Sequence, residues 1–121
     1  MDQLLFPTDP AKEHLIDEGC FIVEIFNQKT SGALSIAQAR VESGSKTEPH
    51  RLRDMQEWYY ILEGQGQMHI DQKTFGIRKG DVVYIPANAV QWVEQSGTDD
   101  LLFLCICKPG WTAEHYENAS S

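Results

Sequence analysis

The chain lacks the features of an exported, membrane-bound or nucleic-acid-binding protein. Its longest apolar run, Leu101 to Cys107, is far too short to span a bilayer. Pro7 and Pro10 interrupt the stretch that a signal peptide would keep apolar. Basic residues are few, because 10 Lys and Arg stand against 18 Asp and Glu, and the net charge of −8 repels nucleic acid and anionic lipid. These absences predict a cytoplasmic protein without nucleic-acid or membrane partners.

Cysteine is also scarce. Cys20, Cys105 and Cys107 are odd in number, and no Cys-x-x-Cys spacing occurs. That pattern excludes a disulfide framework and a cysteine zinc cage. We therefore expect three free thiols, which behave as small apolar side chains.

Short apolar segments separated by turn residues fill the chain between residues 20 and 107, and 121 residues suffice for one domain. The one helix signal is Asp9-Pro10, an N-cap and first-turn proline that favours one or two turns before Gly19. The pattern predicts an all-β barrel or sandwich. The predicted strands are Phe21 to Phe26, Leu34 to Val41, Glu57 to Leu62, Gln67 to Ile70, Val82 to Ile85, Gln91 to Val93 and Leu101 to Cys107.

The chain divides into three predicted parts. Residues 1–30 form an N-terminal extension with the first strand or strands, 31–108 form the barrel, and 109–121 form a tail that leaves the β region and frays. Trp111 and Tyr116 are expected to pin the first half of the tail to the barrel.

Histidine and glutamate stand at a characteristic spacing in the first half of the barrel. The segment reads Gly44-SKTEP-His50-R-Leu52-RDMQ-Glu57-WYYILE-Gly64. It resembles the first motif of the cupin superfamily, in which glycine, five residues, His-x-His, three or four residues, glutamate, six residues and glycine follow one another. Here leucine holds the place of the second histidine.

The second cupin motif has a similar frame and altered residues. It reads Gly80-DVVYI-Pro86-A-Asn88-AV-Gln91-WVE-Gln95, where cupins carry glycine, histidine and asparagine at the last three named positions. The resemblance covers roughly residues 34 to 107 and implies a small single-domain bacterial cupin with a degenerate metal motif. The implied fold is a double-stranded β-helix, or jelly-roll, barrel.

The resemblance also implies a divalent metal inside the barrel. His50 matches an imidazole ligand and Glu57 the carboxylate, while Leu52 cannot coordinate. Gln91 offers an amide oxygen, a hard donor that favours Mn or Fe, with Ni or Zn as further candidates. In the metal-free alternative the same three polar residues form a hydrogen-bonded cluster, and an apolar setting raises the pKa of Glu57.

Strand alternation predicts the rest of the pocket. Leu52 shares the inward face of His50, Tyr59 that of Glu57, and Val93 that of Gln91, so Leu52, Tyr59 and Val93 should line the pocket. The alternative for Tyr59 is a core aromatic whose hydroxyl caps a backbone group.

The opposite alternation sends aromatic side chains outward. Trp58, Tyr60 and Trp92, with the doubly apolar strand Leu101 to Cys107, favour a homodimer.

Three functions remain open. The first is a metal-dependent oxygenase or isomerase acting on a small molecule through His50, Glu57 and Gln91. The second is a non-catalytic module that binds or senses a small molecule without metal. The third is a metal-free isomerase similar to the sugar-epimerase cupins, for which the sequence offers no clear second base.

Overall fold

The computed structural model describes residues 3–28 and 32–120, and it folds these residues into two antiparallel sheets. Alternating turn residues and apolar segments produce short strands throughout. In chain order they are β1 (His14–Leu15), β2 (Phe21–Asn27), β3 (Ser35–Val41), β4 (His50–Leu52), β5 (Gln56–Glu63), β6 (Gln65–Ile70), β7 (Lys73–Arg78), β8 (Val82–Ile85), β9 (Gln91–Ser96), β10 (Leu101–Lys108) and β11 (Tyr116–Asn118).

The sheets have six and five strands. The six-stranded sheet runs β1-β2-β3-β10-β5-β8, and the five-stranded sheet runs β11-β4-β9-β6-β7. Their inner faces enclose an apolar core that includes Val41, Ile61, Met68 and Phe103. The predicted all-β cupin-type barrel is confirmed by this architecture. No helix in residues 3–28 and 32–120 is long and apolar enough to cross a membrane.

Strand β10 lies between β3 and β5 and is the centre of the larger sheet. Its inner face buries Leu101 and Phe103 completely, which explains half of its apolar pattern. The outer face carries the remaining apolar side chains Leu102, Leu104 and Ile106, which are half-buried within this chain.

One sequence-based expectation about the termini is confirmed and another is wrong. The turn favoured by Asp9-Pro10 is present as a 3₁₀ helix at Pro10–Lys12, capped by the Asp9 carboxylate, and it ends before β1. The tail does not leave the β region, since β11 pairs with β4. Both flanks thus contribute strands, while the division at residues 30 and 108 stays a prediction.

Strand β7 was also missed by the hydrophobic pattern. Only Ile77 of its six residues is buried, because β7 is an edge strand that pairs with β6 alone. An edge strand needs few apolar side chains, so its sequence gives a weak signal.

The turns that frame the cupin-like motifs explain two of their residues. Gly64 has φ +84°, and a Cβ there would lie 2.4 Å from the Asp100 carbonyl oxygen. Asn88 takes the place of the motif glycine with φ +71°, a conformation that asparagine tolerates. Its side chain accepts a hydrogen bond from the Asp54 backbone N–H at 3.0 Å. Gly64 thus permits the tight turn between β5 and β6, and Asn88 ties the turn before β9 to the loop between β4 and β5.

Candidate functional site

A cavity of about 330 Å³ opens inside the barrel. Strands of both sheets and the N-terminal segment contribute to it, and most of its lining is apolar. The lining residues are His14, Ile16, Glu18, Cys20, Ile22, Glu24, Ser35, Ile36, Ala37, Ala39, Thr47, His50, Leu52, Glu57, Tyr59, Phe103, Cys105, Cys107 and Trp111. This shape is typical of small-molecule sites.

His50 is 2% exposed and is fixed from two sides. Its Nδ1 lies 2.9 Å from the Glu48 carbonyl oxygen, which can only accept, so Nδ1 carries a proton. The ring stacks on Tyr116 of β11 with centroids 5.2 Å apart. In the neutral imidazole, Nε2 consequently carries a lone pair, and this atom lies 3.6 Å from Glu18 Oε1.

Glu57 has a buried carboxyl group that is only partly satisfied. Its Oε2 lies 3.5 Å from the Cys107 thiol, a weak donor on the neighbouring strand. Its Oε1 is buried and has no hydrogen-bond partner among the described residues. A native protein rarely leaves such an atom unpaired, so this oxygen marks a place where a ligand, water or ion belongs.

Gln91 joins the two walls of the barrel. Its backbone pairs directly with His50 across β4 and β9, and its Oε1 accepts a 2.9 Å hydrogen bond from the Tyr59 hydroxyl. Tyr59 packs on Phe103 with ring centroids 4.3 Å apart. The hydroxyl of Tyr59 therefore bonds a side chain rather than a backbone group.

The sequence-predicted site residues meet in one region of the barrel. His50, Glu57 and Gln91 come from three strands and are all buried. His50, Glu57, Leu52 and Tyr59 line the cavity. Gln91 does not line it and lies behind the lining, bonded to Tyr59. Val93 does not line it either, because it lies in the apolar core, where its backbone N–H bonds Thr47 Oγ1 at 3.0 Å.

Glu18 is a cavity residue beside His50 that sequence reasoning missed. It lies in the turn between β1 and β2, and its backbone carbonyl accepts a 2.7 Å hydrogen bond from the Glu48 N–H. That bond and the φ of +93° at Gly19 direct the turn back onto the barrel. The side chain reaches the cavity beside His50 and is 18% exposed.

Burial raises the pKa of two cavity carboxyls, Glu57 and Glu18. Desolvation, with repulsion from Glu18 as a smaller cause, raises the pKa of Glu57 to about 8, and the neighbouring Gln91 amide and two thiols oppose the rise. Desolvation likewise raises the pKa of Glu18, partly offset by His50. Glu57 can thus hold or release a proton near neutral pH.

The cavity thiols are free, as expected, and poorly suited to nucleophilic chemistry. Cys20, Cys105 and Cys107 all line the cavity. Burial, and then the charge of neighbouring carboxylates, raises the pKa of each thiol. They therefore remain protonated at neutral pH.

The metal-donor chemistry is only partly present. In favour of an ion are the Nε2 lone pair of His50 and the unpartnered oxygen of Glu57. Against it, one lone pair of the Gln91 oxygen is used by Tyr59. Within the part of the chain that the structure describes, no three His, Cys, Asp or Glu side chains are grouped so that they could hold a metal ion. The imidazole of His50, the carboxylate of Glu57 and the amide oxygen of Gln91 are nevertheless ligand types that suit a hard cation.

Comparison with protein families decides the affiliation of the chain. The model of a family described as the cupin domain matches residues 37–107, more than half of the chain. The protein belongs to the cupin family. Its motifs at residues 44–64 and 80–95 lie inside the matched region.

Individual cupins resemble the chain to different extents. An uncharacterized protein of Methanocaldococcus jannaschii is 35% identical over 111 residues, covering 90% of this chain and 89% of the relative. Oxalate decarboxylase of Bacillus subtilis is 31% identical over 105 residues, covering 83% of this chain and 26% of the enzyme. The chain thus spans about a quarter of that enzyme.

Solved structures confirm the fold. A predicted oxalate decarboxylase of Thermotoga maritima superposes with a TM-score of 0.79 at 22% identity, covering 88% of this chain and 99% of that one. A Klebsiella pneumoniae protein with a double-stranded β-helix domain gives 0.80 at 13% identity, covering 99% and 100%. Oxalate decarboxylase of Bacillus subtilis, which has Mn(II) centres, gives 0.74 at 30% identity, covering 89% and 30%.

Proposed function

We propose that this cupin binds a small molecule in its barrel cavity, with His50 and Glu57 as the polar centre and Gln91 behind them, paired with His50. The observation that carries the proposal is the unpartnered, buried Oε1 of Glu57 inside a mostly apolar space of about 330 Å³. An unsatisfied polar atom in an apolar cavity is stabilised by a bound group that can hydrogen-bond to it.

Ligand-dependent thermal stabilisation tests this proposal. A library of small metabolites is screened against the wild type and against Ala37→Leu, which fills the cavity from β3. Gln38→Leu, on the opposite face of the same strand, is the matched control. Hits should raise the Tm of the wild type and of Gln38→Leu, and lose most of their effect in Ala37→Leu. Equal stabilisation of all three proteins would place binding outside the cavity and refute the proposal.

A divalent metal is the second candidate and would make the site catalytic. His50 Nε2 and Glu57 Oε1 are the two donors without a competing hydrogen bond, and Gln91 is the third. When bound, Mn or Fe, or else Ni or Zn, would supply a Lewis acid that polarises a small-molecule oxygen. The chain itself would bind the substrate of an oxygenase or isomerase reaction in its mostly apolar cavity. As a ligand, the Glu57 carboxylate would stay ionised beside the cation.

Metal analysis separates the two candidates. In untagged protein the metal-dependent enzyme requires about one Mn, Fe, Ni or Zn per chain, and His50→Ala and Glu57→Gln should each lose it. Glu63→Gln, at the exposed end of the same strand as Glu57, should retain it. If apo protein does not take up any of these metals in vitro, the metal-dependent proposal is wrong and the metal-free binding module remains.

We propose also that the outer face of the six-stranded sheet pairs with a second copy of the chain. Trp58 and Tyr84 pack there with their rings tilted and their centroids 5.5 Å apart, and Tyr60 and Val82 are exposed beside Leu104. The residues of this patch are uncharged, so two copies related by a two-fold axis can meet without burying a charge. Light scattering should give twice the chain mass, and Leu104→Lys should give the monomer. A monomeric wild type would refute this interface.

A further inference from the structure

We propose that the metal-free cavity selects a ligand with a positively charged nitrogen on an apolar body, such as a primary amine, and rejects carboxylates. This inference deepens the proposed function, since it rests on binding in this cavity and names the class of ligand.

The first support is the charge of the lining. Three carboxyl side chains, Glu18, Glu24 and Glu57, line the cavity, whereas the basic lining residues are only His14 and His50, and no Lys or Arg lines it in the described ranges 3–28 and 32–120. A carboxylate that entered would lose its hydration and meet no fixed cation. An ammonium group would lose its hydration too, but it would meet carboxyl oxygens that can pair with it.

The second support is the hydrogen-bonding demand of Glu57. Its Oε1 is buried and unpartnered, and its other oxygen lies 3.5 Å from the weak Cys107 thiol donor. Once ionised beside a bound cation, this carboxyl needs a further donor. An ammonium group has three N–H donors and no acceptor, so it meets that demand without adding an unsatisfied atom.

The third support is the position of Glu18 next to His50. Glu18 Oε1 lies 3.6 Å from His50 Nε2, which is longer than a hydrogen bond, so the carboxyl keeps the capacity to accept from a ligand. Glu18 and Glu57 interact electrostatically across the same space. A single cation between them would favour the ionised form of both carboxyls and pair with their oxygens.

The remaining lining defines the body of the ligand. Ile16, Ile22, Ala37, Leu52 and Phe103 surround the polar centre with apolar surface. Such walls favour a hydrocarbon or aromatic group over a compact, fully polar molecule. Side chains of this one cavity would thus bind both the charged nitrogen and the apolar body of the ligand.

Three probes of nearly equal shape test the charge preference: benzylamine, benzyl alcohol and benzoate. Each is titrated by calorimetry into protein treated with EDTA, and amide chemical-shift changes locate the site. We expect benzylamine to bind at least about tenfold more tightly than benzyl alcohol or benzoate. Glu57→Gln should remove most of that preference, and Glu18→Gln should reduce it. Glu63→Gln, an exposed carboxyl on the same strand, should leave it unchanged.

Each outcome is decisive for the ligand class. Benzoate or benzyl alcohol binding in the cavity as tightly as benzylamine would overturn the inference and leave the proposed binding function intact. Unchanged preference in both Glu57→Gln and Glu18→Gln would overturn it as well. Should Glu57→Gln fail to fold, Glu18→Gln carries the same comparison. Absence of binding by all three probes overturns this ligand class, while the metabolite screen with Ala37→Leu decides the proposed function separately.

Discussion

Carboxylates are treated in opposite ways on the surface and in the cavity of this barrel. On the outer side of the larger sheet, Arg40 contacts Glu13 at 2.8 Å and Asp100 at 3.0 Å. Asp100 also accepts from the Ser43 N–H, and that bond, followed by Arg40, lowers its pKa. In the cavity, none of the described lining residues is a Lys or Arg that could pair with Glu57 or Glu18, and desolvation raises the pKa values of both carboxyls.

The difference separates structural from functional charge. The Arg40 cluster closes a hydrogen-bonded network near water, where carboxylates cost little and add modest stability. The cavity keeps two carboxyls in a position where folding alone gains nothing from their charge. Retaining an unfavourable group in a cavity is typical of a site that a bound group completes.

The largest effect expected from breaking this comparison comes from Glu57→Gln. Glu57 has a pKa of about 8 in the folded protein against 4.5 ordinarily, so the folded protein holds this proton more tightly than the unfolded chain. Its contribution to stability is therefore fully present below pH 4.5 and lost as the pH rises through 8. The loss is on the order of 4 kcal/mol across that range.

Urea unfolding of EDTA-treated protein at pH 5 and pH 8 measures this slope. The wild type should lose stability toward pH 8, and Glu57→Gln should lose much less, because the amide does not ionise. Glu63→Gln, whose carboxyl pairs with Lys79 on the surface, should keep the wild-type slope. Identical slopes for wild type and Glu57→Gln would show that Glu57 titrates normally.

The asymmetry between surface and cavity could be read only in part from the sequence. His50, Glu57 and Gln91 could be predicted because they stand at the ligand positions of the cupin motifs. Strand alternation, a local property, predicts in addition that their side chains point inward. The barrel itself could be predicted because glycine, proline and asparagine divide the chain into short apolar segments.

Glu18 could not be predicted, because its role depends on long-range contacts. Asp17-Glu18-Gly19 has the composition of an ordinary solvated turn. The hydrogen bond from the Glu48 N–H, 30 residues away in sequence, holds this turn against the barrel beside His50. The stacking of Tyr116 on His50 was hidden for the same reason, since β11 is three residues long and pairs with β4 from the far end of the chain.

Creating a second unsatisfied acceptor next to the cavity would test how costly an unpaired buried oxygen is compared with one at the surface. Tyr59→Phe keeps the packing on Phe103 and deletes the donor to Gln91 Oε1, which stays buried. We expect a loss of about 2 kcal/mol in the free energy of unfolding. Tyr84→Phe is the control, because the Tyr84 hydroxyl accepts from Gln56 on the exposed face, where water replaces it. Equal losses in the two variants would mean that the Tyr59 hydroxyl bond is not protected from water.

The smallest effect on stability is expected from the surface cluster, in which the carboxylates are already paired with Arg40. Arg40→Gln removes the contacts to Glu13 and Asp100 and the packing of the guanidinium 4.4 Å above the Phe21 ring. Because this cluster is partly exposed, we expect the Tm to fall by only about 3 °C at low salt, and by less at high salt. Thermal unfolding at two salt concentrations measures both. A large fall in Tm that does not change with salt would contradict this expectation, because it would show that the Arg40 ion pairs are not screened by solvent. The surface and cavity carboxyls would then differ in burial rather than in whether they are paired with a cation.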